Sequence, residues 1–206
     1  MTATAEEPLL DSLRCADWQT EPWRYACIPA ALPFLMAEKI AAEFPAELLK
    51  RCSRLDGEKS YRFRTTPVDA ATRRVVGATA LPELIETLAS ECYRTLLGTL
   101  TGTDLDDARL TTSLWEYASG DWLVPHVDKV DKIVTQIFYL TPGWKEHDGG
   151  RLLILGSSDQ RDVRAAHVPV LGSSAVLVRS DASWHAVEAP LLDIPARRSL
   201  TATFWY

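Results

Sequence analysis

Three residues of this chain have the types and spacing to hold a metal ion. The stretch GDWLVPHVDKVDKIV (residues 120–134) sets His126 and Asp128 one residue apart in an apolar run. Residues two apart on a strand project from the same face, so both side chains would point into whatever that face lines. The tripeptide alone is weak, because a chain with four histidines and 28 acidic residues meets His-x-Asp readily by chance. A third donor, His185, stands in SDASWHAVEAP at the start of another short β-prone run. Two imidazoles and one carboxylate can take one face of an octahedral ion and leave three positions open, a set that suits Fe(II). One anionic ligand leaves the ion partly uncompensated, so the open positions favour an anionic chelator.

Such a chelator needs a cation at its far end, and the last segment, ARRSLTATFWY, supplies two. Read as a strand, it puts Arg197, Ser199, Thr201 and Thr203 on one face and Arg198, Leu200, Ala202 and Phe204 on the other. An arginine fork matches a carboxylate bidentately, and a serine two places on adds a hydrogen bond. Alternation selects Arg197 if Ser199 also faces inward; Arg198 is the other choice.

The elements that must position these groups divide the chain. Residues 1–22 read as a loosely ordered polar lead-in, and WRYACIP (residues 23–29) as a first strand. A helical stripe of Leu35, Ile40, Ala41 and Phe44 is cut by Pro45. KSYRFRTTP alternates as a strand and ends at Pro67. A second helix runs from Leu81 through Leu84, Ile85, Leu88, Cys92 and Leu96, with Pro82 in its first turn and Gly102 at its end. From about residue 108 the texture changes to short β-prone runs separated by Gly, Asp, Pro and Ser turns. The expectation is one α+β domain over 1–206, a jelly-roll core at about 108–206 supported by helices at about 23–107.

Bulk properties exclude some functions. Lys and Arg number 22 against 28 Asp and Glu, a net charge of −6 with no basic block, so neither a nucleic-acid partner nor a membrane surface is expected. The opening MTATAEEPLLDSL lacks the apolar core of a signal peptide, and no run is long enough to span a bilayer. Four scattered cysteines without metal-type spacing read as reduced, mostly buried thiols. A cytoplasmic location follows as an expectation.

The order Tyr117-Ala-Ser-Gly120, His126-Val-Asp128, TQIFYLTPGW, DGGRLLI, SWHAVEAP and RRSLTATFW resembles the 2-oxoglutarate/Fe(II)-dependent oxygenases, in particular the prolyl-hydroxylase-like branch. The likeness is detailed over about residues 109–206 and extends to the N-terminal half only as a pattern of helices before a jelly roll. It implies a double-stranded β-helix with Fe(II) bound by His126, Asp128 and His185. It further implies 2-oxoglutarate held by Arg197 and Ser199 with Tyr117 and Tyr139, and O2 as oxidant. An acidic residue at position 128, where related halogenases carry Gly or Ala, implies hydroxylation or another oxidative outcome over halogenation.

The pattern departs at Arg151, where many relatives carry an acidic or small residue after Gly149 and Gly150, which read as a tight turn. Trp184 reads as packing, and His147 and His167 as surface residues. For substrate the expectation is a small molecule, an amino acid or natural-product intermediate, met by Trp122, Arg62, Arg64 and Lys132; a peptidyl or carrier-bound residue is the alternative. Two rivals come from other classes: a cupin-like metal-binding module, against which the absence of His-x-His weighs, and a non-catalytic jelly-roll scaffold.

Overall fold

The computed structural model describes residues 6–56, 59–76 and 80–206. Helix α1 (Glu6–Arg14) leads into strands β1 (Trp18–Gln19) and β2 (Tyr25–Ile28), and α2 (Phe34–Ala42) precedes the hairpin β3 (Lys50–Arg54) and β4 (Tyr61–Pro67). Three helices follow: α3 (Ala70–Val76), α4 (Ala80–Ala89) and α5 (Glu91–Thr101). The remainder is β5 (Arg109–Tyr117), β6 (Trp122–His126), β7 (Lys132–Tyr139), β8 (Leu152–Leu155), β9 (Val163–His167), β10 (Ser174–Val178), β11 (His185–Val187) and β12 (Arg197–Trp205).

All pairings among these strands are antiparallel, in the order β1-β2-β10-β7-β12-β5-β4-β6-β11-β8-β9, with β3 beside β4. The sheet curls into the half-barrel of a jelly roll, the double-stranded β-helix. Its longest ladder joins β12 to β5 along nine residues, with Arg197 opposite Tyr117 and Ser199 opposite Trp115. On the other side of β12, Ser199 lies opposite Tyr139. Directly opposed residues share a face, so this register brings Arg197, Ser199, Tyr117 and Tyr139 together inside the curl.

The helices cover the outer face of the same strands. Leu200, Ala202 and Phe204 of β12, Leu114 of β5 and Val134 and Phe138 of β7 join Leu9 and Leu13 of α1, Ile40 of α2, Leu84, Ile85 and Leu88 of α4 and Leu97 of α5 in one apolar core. Tyr93 Oη donates to Gln136 Oε1 across this boundary. The polar alternates of β12 are thereby left to the concave side.

Several sequence expectations need correction here. Residues 6–14, read as a loose lead-in, form α1, whose Leu9, Leu10 and Leu13 are buried; residues 1–5 lie outside the described part. The stripe assigned to α2 is shifted, for Leu35 is 78% exposed and Ala37 is buried with Ile40 and Ala41. The long helix is two. Ser90 breaks it by capping α5, its hydroxyl accepting from the Tyr93 amide at 3.2 Å, and this rotation turns Cys92 outward. Gly102 ends α5 at φ 71°, as expected. The cysteines are free but not buried: Cys15 and Cys92 are exposed and Cys27 and Cys52 half-buried. Strand β9 had no apolar alternation to reveal it, since its residues 163, 164 and 166 are exposed.

Candidate active site

His126 closes β6 and His185 opens β11, and the two are cross-strand partners. Their ring centroids lie 4.2 Å apart. Asp128 follows two residues beyond β6, its Oδ1 3.8 Å from His126 Nε2. One donor atom from each of the three lies within 4.8 Å of the others. No other such group of three occurs among the described residues.

Both imidazoles are aimed by the same local device. His126 Nδ1 is 2.9 Å from the Val124 carbonyl, and His185 Nδ1 is 2.9 Å from the Ser183 carbonyl. A carbonyl only accepts, so each Nδ1 carries the proton and each Nε2 presents a lone pair. Ser183 is itself fixed, its Oγ donating to the Ser180 carbonyl at 2.7 Å and accepting from the Ser180 amide at 3.0 Å. Burial, reinforced for His126 by the neighbouring His185, holds both imidazoles well below their ordinary pKa and therefore neutral. Burial would raise the Asp128 carboxyl, but the adjacent His185 and then Lys132 more than offset it and hold it below its ordinary range. Lys132 Nζ donates to Asp128 Oδ1 at 2.8 Å. Two neutral imidazoles beside one carboxylate are in the ionisation states a divalent cation requires.

These donors open on a cavity of about 380 Å³, within the range of small-ligand sites. Arg197 lies in its wall, only 2% exposed. Its guanidinium sits 4.8 Å from the Tyr139 ring centroid and 5.1 Å from that of Tyr117. No carboxylate pairs with it among the described residues, and Arg197 Nε and the Tyr139 hydroxyl are buried without any hydrogen-bond partner. Ser199 is 1% exposed and lines the same cavity. Burial raises both tyrosines above their ordinary pKa, so they are neutral donors. A buried, unpaired guanidinium is costly; with two phenols and a serine around it, the arrangement has the chemistry to accept a carboxylate.

The choice between the arginines is resolved by alternation. Arg198 turns to the outer face, where its Nε is 3.1 Å from Glu116. Glu116 also takes Arg64 at 2.7 Å.

The expected substrate contacts divide. Lys132 lines the cavity. Arg62, Arg64 and Trp122 do not, because Tyr61 and Phe63 take the inward positions of β4 and leave the arginines on its other face. Arg62 binds Asp121 at 2.9 Å and lies 5.0 Å from the Trp122 ring, while Arg64 also donates to the carbonyls of Ala46 and Leu49. Arg151 pairs with Glu188 through two contacts of 2.8 and 2.9 Å. The alternation in YRFR carried this signal, with the aromatics and not the arginines facing in.

Some participants had no signature of their own. Gly150 adopts φ +65°, and a Cβ there would stand 2.8 Å from Trp144 Cζ2 and 3.2 Å from Arg197 Cδ. The glycine pair is thus a turn whose second member abuts the buried arginine. His167, expected at the surface, is 9% exposed; its Nε2 is 3.1 Å from Ser173 Oγ and its ring 5.1 Å from that of Tyr139. Its position at the end of β9 brings it beside Tyr139. His147 is exposed and Trp184 packs on Leu153, Leu155 and Ala186, as expected.

Residues 112–206 match the family model described as the 2OG-Fe(II) oxygenase superfamily. The match spans the β-rich part of the chain, from β5 to the last strand. Match and fold together support a 2-oxoglutarate-dependent dioxygenase, and that family's chemistry uses Fe(II), 2-oxoglutarate and O2. Among solved structures it is similar to a Pseudomonas putida prolyl-4-hydroxylase, with a TM-score of 0.69 and 22% identity over 96% of each chain. A prolyl hydroxylase from Trichoplax adhaerens, solved with a hypoxia inducible factor oxygen degradation domain peptide fragment, gives 0.66 and 14% over 97% of this chain and 88% of that one. A prolyl 4-hydroxylase from Phytophthora capsici gives 0.69 and 20% over 100% of this chain and 66% of that one. At these identities the likeness carries the fold. No curated protein matches the sequence. Among the described residues no helix is long and apolar enough to cross a membrane.

Proposed function

We propose that this oxygenase hydroxylates an unactivated C–H bond, with His126, Asp128 and His185 holding Fe(II) and Arg197, Ser199, Tyr117 and Tyr139 holding 2-oxoglutarate. The observation that carries the reading is a pairing within one cavity: a His-Asp-His group within 4.8 Å and a fully buried arginine without a carboxylate among the described residues. Each half lacks what the other half's ligand would supply. The donor set suits Fe(II), and the orphaned Arg197 Nε and Tyr139 hydroxyl suit the distal carboxylate of the cosubstrate.

The residues have separate tasks. The Val124 and Ser183 carbonyls keep both Nε2 atoms deprotonated and aimed inward. Lys132 keeps Asp128 ionised. Arg197, braced by Gly150 and flanked by two aromatic rings, fixes the far end of the cosubstrate and so its orientation. Leu152, Leu177, Ile137 and Val187 line the cavity and exclude water. When bound, the metal would couple decarboxylation of 2-oxoglutarate to oxidation of the substrate, one oxygen atom of O2 entering succinate and the other the new hydroxyl, with release of CO2.

For the substrate, a peptidyl prolyl residue is the reading the neighbours support, since each is described as a prolyl hydroxylase and one was solved with a peptide fragment. A free amino acid or similarly small molecule is the second, supported by a cavity of about 380 Å³. The testing experiment is anaerobic titration of the apo-protein with Fe(II) and then 2-oxoglutarate, followed by the weak visible charge-transfer band of the chelate. Appearance of the band, and its weakening in Arg197→Ala, supports the assignment. Fe(II) binding without the band favours a cupin-like module, and binding of neither leaves a scaffold.

A further inference from the structure

The cavity is basic where the chain as a whole is acidic. Against the excess of Asp and Glu over the entire sequence, the charged residues lining the cavity are, among the described residues, Arg54, Lys59, Lys129, Lys132 and Arg197, with Asp128 the sole anion. Two of these cations already have a task. Lys132 is paired with Asp128 at 2.8 Å, and Arg197 is the buried anchor of the inner wall. The other three do not. Arg54 ends β3, Lys59 lies in the connection to β4, and Lys129 follows Asp128 directly. Among the described residues none of the three has a carboxylate within ion-pair distance or a side-chain hydrogen-bond partner.

Lys59 is the sharpest of the three. Arg54 and Lys129 are exposed and could be solvated charges, but Lys59 is half-buried in the cavity wall. Burial lowers its ammonium to about 8; Asp128 opposes the fall, and Lys132 and Lys129 add to it. Like charges gathered on a concave, partly desolvated wall focus a positive potential into it. Beside them runs an aromatic wall: Tyr61 stacks on Phe63 at 4.8 Å, and Phe63 meets Trp115 edge-on at 4.7 Å. The wall offers a surface for an apolar ring and the cations an attachment for a charge.

We propose that Arg54, Lys59 and Lys129 recognise a carboxylate carried by the substrate close to the residue that is oxidised. The inference rests on the oxygenase reading of the same cavity. The carboxylate is either that of the oxidised residue itself, as in a free amino acid, or the side chain of an acidic neighbour in a peptide. Both present the same chemistry to the three cations.

The test uses full-length protein loaded with redox-inert Zn(II) and 2-oxoglutarate, titrated calorimetrically with two matched pairs of probes. The first pair is N-acetylproline and its amide; the second is N-acetyl-Pro-Glu-amide and N-acetyl-Pro-Gln-amide. In at least one pair the acid is expected to bind about tenfold more tightly than its neutral partner. In the triple variant Arg54→Gln, Lys59→Gln, Lys129→Gln that ratio is expected to fall below about threefold, with 2-oxoglutarate affinity unchanged. Discrimination in the first pair assigns the residue's own carboxylate; in the second, an acidic neighbour. Lys59→Gln alone, expected to remove about threefold of the preference, serves if the triple variant does not fold. Acids that bind no better than amides, acids that do not bind measurably, or a preference that survives the triple variant overturn the inference. So does a triple variant that loses 2-oxoglutarate, because the cations then serve cosubstrate capture. Failure of wild-type protein to bind 2-oxoglutarate is a different result and removes the oxygenase reading itself.

Discussion

His126 and His185 face one another across the β6–β11 pair, and each donates Nδ1–H to the carbonyl two residues before it. The backbone therefore fixes both rings, neutral and 4.2 Å apart. Asp128 completes it from a loop, at 3.8 Å from His126. Removing that carboxylate should cost binding far more than folding. In Asp128→Ala, Zn(II) or Fe(II) affinity is expected to fall roughly 100-fold or more, with hydroxylation abolished and the thermal midpoint moved by no more than a few degrees. Calorimetry and a thermal melt on the same preparation check both. Full activity with normal iron affinity would sink the triad.

The adjacent arginines of β12 should respond in opposite ways. Arg197→Met removes a buried guanidinium that has no carboxylate, so the ligand-free protein is expected to be as stable as wild type or more so. Its affinity for 2-oxoglutarate is expected to fall about 100-fold or more, the loss of a bidentate charged contact. Arg198→Met leaves Glu116 with Arg64 alone and is expected to cost about 1 kcal/mol of stability with 2-oxoglutarate affinity unchanged. Urea unfolding and 2-oxoglutarate titration of both variants separate the roles. Equal effects on affinity would remove the distinction.

Gly150 is held at φ +65° with Trp144 and Arg197 where a side chain would begin. Gly150→Ala should destabilise the fold by about 2 kcal/mol or more, from overpacking and left-handed strain together. It should also weaken 2-oxoglutarate binding through the displaced arginine. Stability loss with unchanged affinity would show that Trp144 alone yields.

His167 predicts a pH dependence. Burial, and after it the charge of Arg197, pushes its pKa down to about 4, so the folded protein keeps it neutral. In the unfolded chain it takes up a proton near pH 6.5. Its contribution to stability is thus complete above about pH 6.5 and is lost as pH falls towards 4. The loss runs at about 1.4 kcal/mol for each pH unit inside that window. Urea unfolding at pH 7.5 and 4.5 should show a smaller drop in His167→Gln than in wild type, by roughly 2–3 kcal/mol. An equal drop in both would place the sensitivity elsewhere.

How much of this was legible in the sequence depended on whether a signal was periodic or spatial. Alternation in ARRSLTATFWY put Arg197 and Arg198 on opposite faces, because strands sort side chains strictly by parity, but left open which face turned inward. Alternation in YRFRTTP was equally clear, yet the arginines were assigned to substrate although their parity turned them outward to Asp121 and Glu116. The short helix α1 was hidden by its acidic start, with only Leu9, Leu10 and Leu13 to mark it. Ser90 within an unbroken apolar stripe concealed a helix boundary. His167 and Lys59 had no motif, since their burial comes from strands and loops distant in sequence.

The apolar residues of β12 have a bearing on chemistry they never touch. Leu200, Ala202 and Phe204 are claimed by the helical layer, which will not accept Ser199, Thr201 and Thr203 in exchange. Sliding β12 by one residue would turn Arg197 out to the surface and carry Arg198 into the cavity, exchanging the whole set. Which arginine turns into the cavity is therefore enforced from the far side of the sheet, by hydrocarbon packing on α4 and α5. Substitutions in those helices that loosen the packing would surface as a fault in anion recognition.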